Sequence, residues 1–166
     1  MTTVAPSVAG TRWLENEEQE AWRAYLEATL LLFDALDRQM QQDSGMPHAY
    51  YEILVRLSET EGHNMRMSEL AVQTRSSRSR LSHAIDRLQE RGWVERADCP
   101  TDRRGQLAHL TEKGFAVLSE AAPSHVAMVR KHVIDRLSPE QIRHLADIGN
   151  SIIAGLEPTC ASADRG

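Results

Sequence analysis

Between Arg75 and Arg104 the chain carries eight arginines and no lysine. A guanidinium fork makes paired contacts to phosphate oxygens or to a guanine edge, where an ammonium offers only a point charge. The first cluster is Arg75-Ser76-Ser77-Arg78-Ser79-Arg80, followed closely by Ser82 and His83; the second is Asp102-Arg103-Arg104-Gly105. Cations interleaved with hydroxyls suit a nucleic-acid backbone and the base edges beside it. Arg75, Ser76, Ser77, Arg78, Ser79, Arg80, Ser82, His83, Arg103 and Arg104 are therefore the candidate DNA contacts. Asp102 is placed to orient an arginine through a charge-assisted bond rather than to touch DNA.

Those residues need elements to present them. Ser68 to Val72 reads as a short amphipathic helix, and Ser77 to about Arg91 as a second one. In the second, Leu81, Ile85 and Leu88 recur at helical spacing beside Ala84 and face a core, while Ser79, His83, Asp86 and Glu90 line the opposite side. That side runs from polar or cationic to acidic, so its N-terminal half is the part expected to approach a polyanion. Gly92 supplies the stop. Trp93–Arg96 and Gln106–Leu110 flank a loop with Pro100 and Gly105, which predicts a hairpin with Arg103 and Arg104 at its tip. Arginines so placed can enter a minor groove, where the negative potential is high.

Composition agrees once charge is divided along the chain. The net charge is -5, yet between Arg75 and Arg104 eight arginines face five carboxylates. A basic patch on an acidic body still steers toward phosphate, because screening makes the near field dominate. The 166 residues suit one domain with an oligomerisation element, and an aromatic content of 5% argues against a large sheet-based pocket. No uncharged apolar run long enough for a membrane helix occurs, and Met1–Gly10 lacks a secretory pattern. Cys99 and Cys160 form no framework, so a reduced cytoplasmic setting is expected.

Around the central segment the chain reads as helical. Residues 1–12 are expected to be a disordered tail and 158–166 a loose one. A long helix is predicted from Trp13 to about Gln42, and its Leu30-Leu31-Leu32-Phe33 run is apolar all round, which calls for a partner chain. A second helix begins at Pro47 and ends near Leu57, and Met65–Met67 is a short strand. Thr111 caps a helix expected to run from Glu112 to Leu137, with Pro123 kinking or interrupting it. Ser138-Pro139-Glu140-Gln141 is a capping box for a last helix carrying Ile142, Leu145, Ile152 and Leu156 at near-heptad spacing. The expected class is all-α with a small β wing: a winged helix-turn-helix lobe over 46–111, and helical dimerisation segments over 13–45 and 112–157.

Three stretches carry a resemblance to a known family. They are Met67-Ser68-Glu69-Leu70-Ala71; Leu81-Ser82…Ile85…Leu88…Gly92-Trp93-Val94-Glu95-Arg96; and Asp98…Thr101-Asp102-Arg103-Arg104-Gly105…Leu110-Thr111…Gly114. In these, and over roughly residues 15 to 157 in element order, the chain resembles the MarR family of winged-helix transcriptional regulators. The resemblance implies a homodimer formed by the first and last helices, pseudo-palindromic duplex DNA as partner, and modulation by a small aromatic or phenolic effector. Such proteins keep a ligand pocket between the dimerisation helices and the DNA-binding lobe. That points to Trp22, Tyr25, Leu26, His48 and Tyr51, as rings for stacking and an imidazole for an anion. Repression of transcription is the expected role.

Other chemistries are weaker. His125 and His132, seven apart, would lie about 10 Å from each other on an unbroken helix, too far to share an ion, so no metal is expected. Cys99 sits beside Asp98, which disfavours a thiolate. No phosphate-binding glycine loop, nucleophile elbow or paired-carboxylate motif occurs, so neither an enzyme nor a cofactor is expected. The readings left open are a zinc- or redox-responsive regulator of the same fold, and a winged-helix module that binds protein rather than DNA.

Overall fold

In the computed structural model, residues 10–99 and 102–156 are described, the side chains of Asp102, Arg103 and Arg104 excepted. The element order is α1 (Asn16–Ser44), α2 (His48–Ser58), a 3-10 turn (Glu61–His63), β1 (Asn64–Arg66), α3 (Met67–Gln73), α4 (Arg78–Glu90), β2 (Val94–Cys99), β3 (Asp102–Leu110), α5 (Glu112–His132), a second 3-10 turn (Ile134–Arg136) and α6 (Pro139–Leu156). The chain is mostly helical, with one three-stranded antiparallel sheet in the order β1-β3-β2. This is a winged helix-turn-helix lobe carried on long helices.

The lobe forms because every element in it has one apolar stripe. Leu81, Ile85 and Leu88 of α4 are sealed against Leu54 and Leu57 of α2, Leu70 of α3, and Val94 and Leu110 of the sheet. Burial of a side chain of that size contributes about 1.5–3 kcal/mol. Gly92 lies at φ 71, a left-handed turn that sends the chain from α4 straight into β2. β1 covers only the root of the hairpin, pairing Asn64, Met65 and Arg66 with His109, Ala108 and Leu107. Beyond that rung β2 and β3 continue as a two-stranded ribbon, with a register shift between Asp98 and Cys99. The hairpin is longer than the two flanking runs predicted from sequence.

Three local expectations are corrected. α1 starts at Asn16 rather than Trp13, since Glu18 accepts from the Glu15 amide at 2.9 Å and sets the first turn there. α5 ends at His132 rather than Leu137, because Val133 (φ -124, ψ -70) leaves the helix and the next residues tighten into a 3-10 turn. An Arg130–Asp135 contact of 2.6 Å and a bond from Arg136 Nε to the Lys131 carbonyl hold that turn. Pro123 does not interrupt α5, which runs continuously from Glu112 through it. One backbone bond is lost there, but the adjacent Ser124 is clasped by Gln39 and Asp43 of α1, so tertiary contacts support the turn.

The expected caps are in place. Thr111 accepts from the Gly114 amide at 3.0 Å. Ser138 and Gln141 exchange bonds of 2.8 and 3.2 Å. The exterior of the long helices differs from the lobe. α6 buries no residue, and Leu145, Ile148, Ile153 and Leu156 are exposed. Leu30, Leu31 and Phe33 of α1 are 67%, 61% and 55% exposed and only Leu32 is half-buried, so among the described residues the run that sequence singled out is largely uncovered. Among the described residues no helix is long and apolar enough to cross a membrane.

Candidate nucleic-acid interface

The turn before α4 is built by backbone bonds. Arg75 donates its amide to the Val72 carbonyl and Ser76 donates to Ala71, closing the end of α3. Arg75 takes φ 51, a left-handed position usually given to glycine. Holding a side chain there costs roughly 1–2 kcal/mol, so an arginine at this place is a departure that marks its side chain. Ser77 is the N-cap of α4, its hydroxyl accepting from the Arg80 amide at 3.2 Å. Arg75, Ser77 and Arg78 share a concave surface of about 460 Å³ with Ser68, Ala71, Val72 and Ser76.

Arg78, Ser79, Arg80 and His83 are exposed on the first turns of α4, as expected. Ser82 is not on that open face. It is half-buried toward the wing, where Arg96 Nη2 donates to both its carbonyl and its hydroxyl at 3.1 Å. The same nitrogen reaches Asp86 Oδ1 at 2.6 Å, and Nη1 reaches Gln106 Oε1 at 3.4 Å. Glu90 is paired with Arg87 at 2.9 Å. The acidic half of α4 is thus offset by arginines, and its field toward an anion is weaker than the linear sequence suggests. A cleft of about 370 Å³ lies between α4 and the hairpin, lined by Arg66, Ser68, Arg78, Ser82 and Gln106 among others.

The other contacts expected from sequence fall at the hairpin tip. β3 starts at Asp102, while the side chains of Asp102, Arg103 and Arg104 lie outside the described residues. Cys99, buried at the base of the tip, is paired in register with Asp102.

Two residues beside the candidate interface escaped sequence reasoning. Arg96 lies ten positions from Asp86 on a different element, so no periodicity links them. Arg66, immediately before α3, looked like part of a short strand and proves to line the cleft.

The five residues predicted to hold a ligand separate into two groups. Trp22 and Tyr25 stack at 6.2 Å on the outside of α1, with Leu26 exposed beside them. Tyr25 also lines an apolar groove of about 430 Å³ between α1 and the α5–α6 elbow, with Leu31, Leu32, Val133, Arg136 and Leu145. His48 and Tyr51 lie instead among Phe33 and His125, with ring centroids at 6.0 Å for Phe33–His48, 5.4 Å for His48–His125 and 4.6 Å for Tyr51–His125. Phe33 is eleven residues beyond Trp22, or about 16 Å along a helix, so the two groups are not one pocket. Burial, reinforced by His48, lowers the His125 pKa below the ordinary histidine value, and burial raises that of the Tyr51 phenol. His125 Nδ1 is buried with no partner among the described residues. Among the described residues no group of three or more His, Cys, Asp or Glu side chains could hold a metal ion.

Comparison with known proteins gives one consistent answer. A family model described as the MarR family matches residues 44–105, from the end of α1 into β3. A solved structure of Sco3205, a MarR family transcriptional regulator from Streptomyces coelicolor in complex with DNA, is similar at a TM-score of 0.88 and 53% identity, over 93% of this chain and 97% of that one. AbsC, a MarR family transcriptional regulator from the same organism, is similar at a TM-score of 0.84 and 47% identity, over 88% and 98%. The transcriptional repressor MprA of Escherichia coli is 35% identical over 85 residues, which is 51% of this chain. That match spans 48% of the repressor, about half its length.

Proposed function

The chain belongs to the MarR family of transcriptional regulators, and on that premise we propose that it binds duplex DNA sequence-specifically as a homodimer and represses transcription. The observation that carries the reading is the first turns of α4. There Arg78, Ser79, Arg80 and His83 stand exposed at a capped helix N-terminus, with the marked Arg75 just before it. Free amides, the positive end of the helix dipole and guanidinium forks converge on one surface. α4 would enter the major groove with these residues, and the tip arginines Arg103 and Arg104, oriented by Asp102, would take the flanking minor groove. That Sco3205, similar over 93% of this chain, was solved in complex with DNA supports the DNA-binding reading.

Dimerisation is the proposal that accounts for the long helices. Exposed leucines, isoleucines and aromatics on α1 and α6, with the apolar groove between them, form a surface that a second copy would cover. Two-fold symmetry then sets two copies of α4 about one helical turn apart, roughly 10 bp, or a multiple of it. The proposed operators are accordingly pseudo-palindromic. An aromatic or phenolic acid is the effector class that suits the rings and imidazoles of Phe33, His48, Tyr51 and His125 at the joint of α1, α2 and α5. A coupling of about 1–3 kcal/mol between that joint and the spacing of the reading helices would change occupancy.

The test is a mobility-shift titration with genomic fragments across a range of salt. Wild type is expected to retard particular fragments with a steep salt dependence. R103A is expected to lose most of that affinity while keeping its melting temperature. No retarded fragment at any salt would leave a protein-binding winged helix as the answer. Equal affinity for R103A would remove the wing from the mechanism.

A further inference from the structure

The two-stranded part of the hairpin has little to aim it. The last rung backed by a third strand is Arg66–Leu107–Ala97, and past it only β2 and β3 remain paired. Two-stranded ribbons twist readily and are marginally stable alone. The bulge at Asp98/Cys99 loosens this one further. From the Arg96–Ala108 rung to Arg103 is five residues of strand, a lever of about 16 Å. A swing of only about 15° at its root would move the tip by about 4 Å, more than the ~3.4 Å rise of one base step.

Arg96 stands at that root. Its backbone is one rung inside the three-stranded region, and its guanidinium straddles the boundary. Nη1 reaches Gln106, whose partner on β2 is Asp98, the first rung beyond β1. Nη2 crosses to the second turn of α4 and donates to the Ser82 carbonyl, the Ser82 hydroxyl and Asp86 Oδ1. Its side chain is 24% exposed, and its Nε is buried with no partner among the described residues, so the group is seated between the two elements rather than lying over them. A planar fork bound on both sides fixes an angle as well as a distance.

We propose that Arg96 is a positioning residue for DNA recognition, locking the wing at a set angle to α4 so that major-groove and minor-groove contacts fall in one register. This rests on the DNA-binding reading above and deepens it: Arg96 touches no base, yet decides which flanking steps the wing tip can reach. Ser82 and Asp86 are its seats on the helix. The helix's own base preference is expected to survive loss of the clamp, because the bonds of Arg96 go to Gln106, Ser82 and Asp86 and to none of Arg78, Ser79, Arg80 and His83, although Arg78 shares the cleft with Ser82 and Gln106.

The experiment is affinity selection from a random duplex library, comparing wild type, R96M and R96K as full chains, with melting temperatures measured alongside. R96M is expected to keep the central major-groove preference, to lose the flanking one, and to bind roughly tenfold more weakly, the scale of one charge-assisted hydrogen bond. R96K, which can still reach Asp86, is expected to recover part of the flanking preference. A merely structural role would lower the melting temperature and weaken all positions alike. R96M with an unchanged flanking preference, or with central and flanking preferences lost together, overturns the proposal. Should R96M not fold, S82A removes the hydroxyl seat and D86A the carboxylate one, and an unaltered flanking preference in both overturns it equally. Wild type that selects no sequence at all refutes the DNA-binding reading instead, and this proposal with it.

Discussion

Replacing Gly114 by alanine isolates the joint between the DNA-reading lobe and α5. Gly114 is on the first turn of α5, buried, and without unusual backbone angles. Helix propensity alone would therefore favour alanine by about 1 kcal/mol. The surroundings oppose it strongly. A Cβ at this position would lie 2.1 Å from the Trp93 carbonyl oxygen, 2.8 Å from Leu110 Cδ1 and 2.9 Å from the Trp93 carbonyl carbon. Side-chain carbons essentially never approach closer than 3.0 Å, so a shift of about 0.9 Å is forced. The atom that must move is backbone, and the Thr111 amide holds it at 3.1 Å. Thr111 is itself fixed by its hydroxyl bond to the Gly92 carbonyl at 2.8 Å. Overpacking of this kind costs about 3 kcal/mol or more when rigid atoms are involved. The net expectation for G114A is destabilisation by at least about 2 kcal/mol, a fall in melting temperature of about 4–8 °C for a chain this size. Thermal and urea unfolding at one protein concentration measures it. A melting temperature equal to or above wild type would refute the packing argument. DNA affinity should fall as well, because Trp93 leads directly into the wing.

Two further outcomes follow from other regions. Ile148, 54% exposed on α6, is expected to face a second copy, so I148D should sediment as a monomer and lose operator binding while the lobe stays folded; a dimer indistinguishable from wild type would exclude α6 from the interface. His125 titrates below the ordinary histidine value of 6.5 because burial and then His48 disfavour its charge. As pH falls, the unfolded chain takes up that proton first. Wild type therefore loses stability from about pH 6.5 downward until the folded histidine protonates too. H125Q should flatten that slope in urea midpoints taken between about pH 5 and 8, and an unchanged slope would show that this histidine does not contribute.

Much of this protein is local, and local features were legible in the chain. The Leu81–Ile85–Leu88 stripe, the Thr111 and Ser138 caps and the stop at Gly92 depend on neighbours within one or two turns, so their spacing specified α4, α5 and α6 before any coordinate. The apolar run at Leu30–Phe33 was legible in the same way, and in the fold Leu30, Leu31 and Phe33 of it stay exposed. Tertiary structure alone decided three other matters. It put Ser82 under Arg96 instead of on the open face, a bond between residues fourteen positions apart. It set Trp22 and Tyr25 apart from His48 and Tyr51 within one chain, because the α2 rings meet α1 at Phe33, eleven residues beyond Trp22. It carried α5 past Pro123, where a clasp to α1 outweighs one missing backbone bond. Periodicity reports what a residue does for its own helix, whereas these outcomes turn on which other element comes to lie against it.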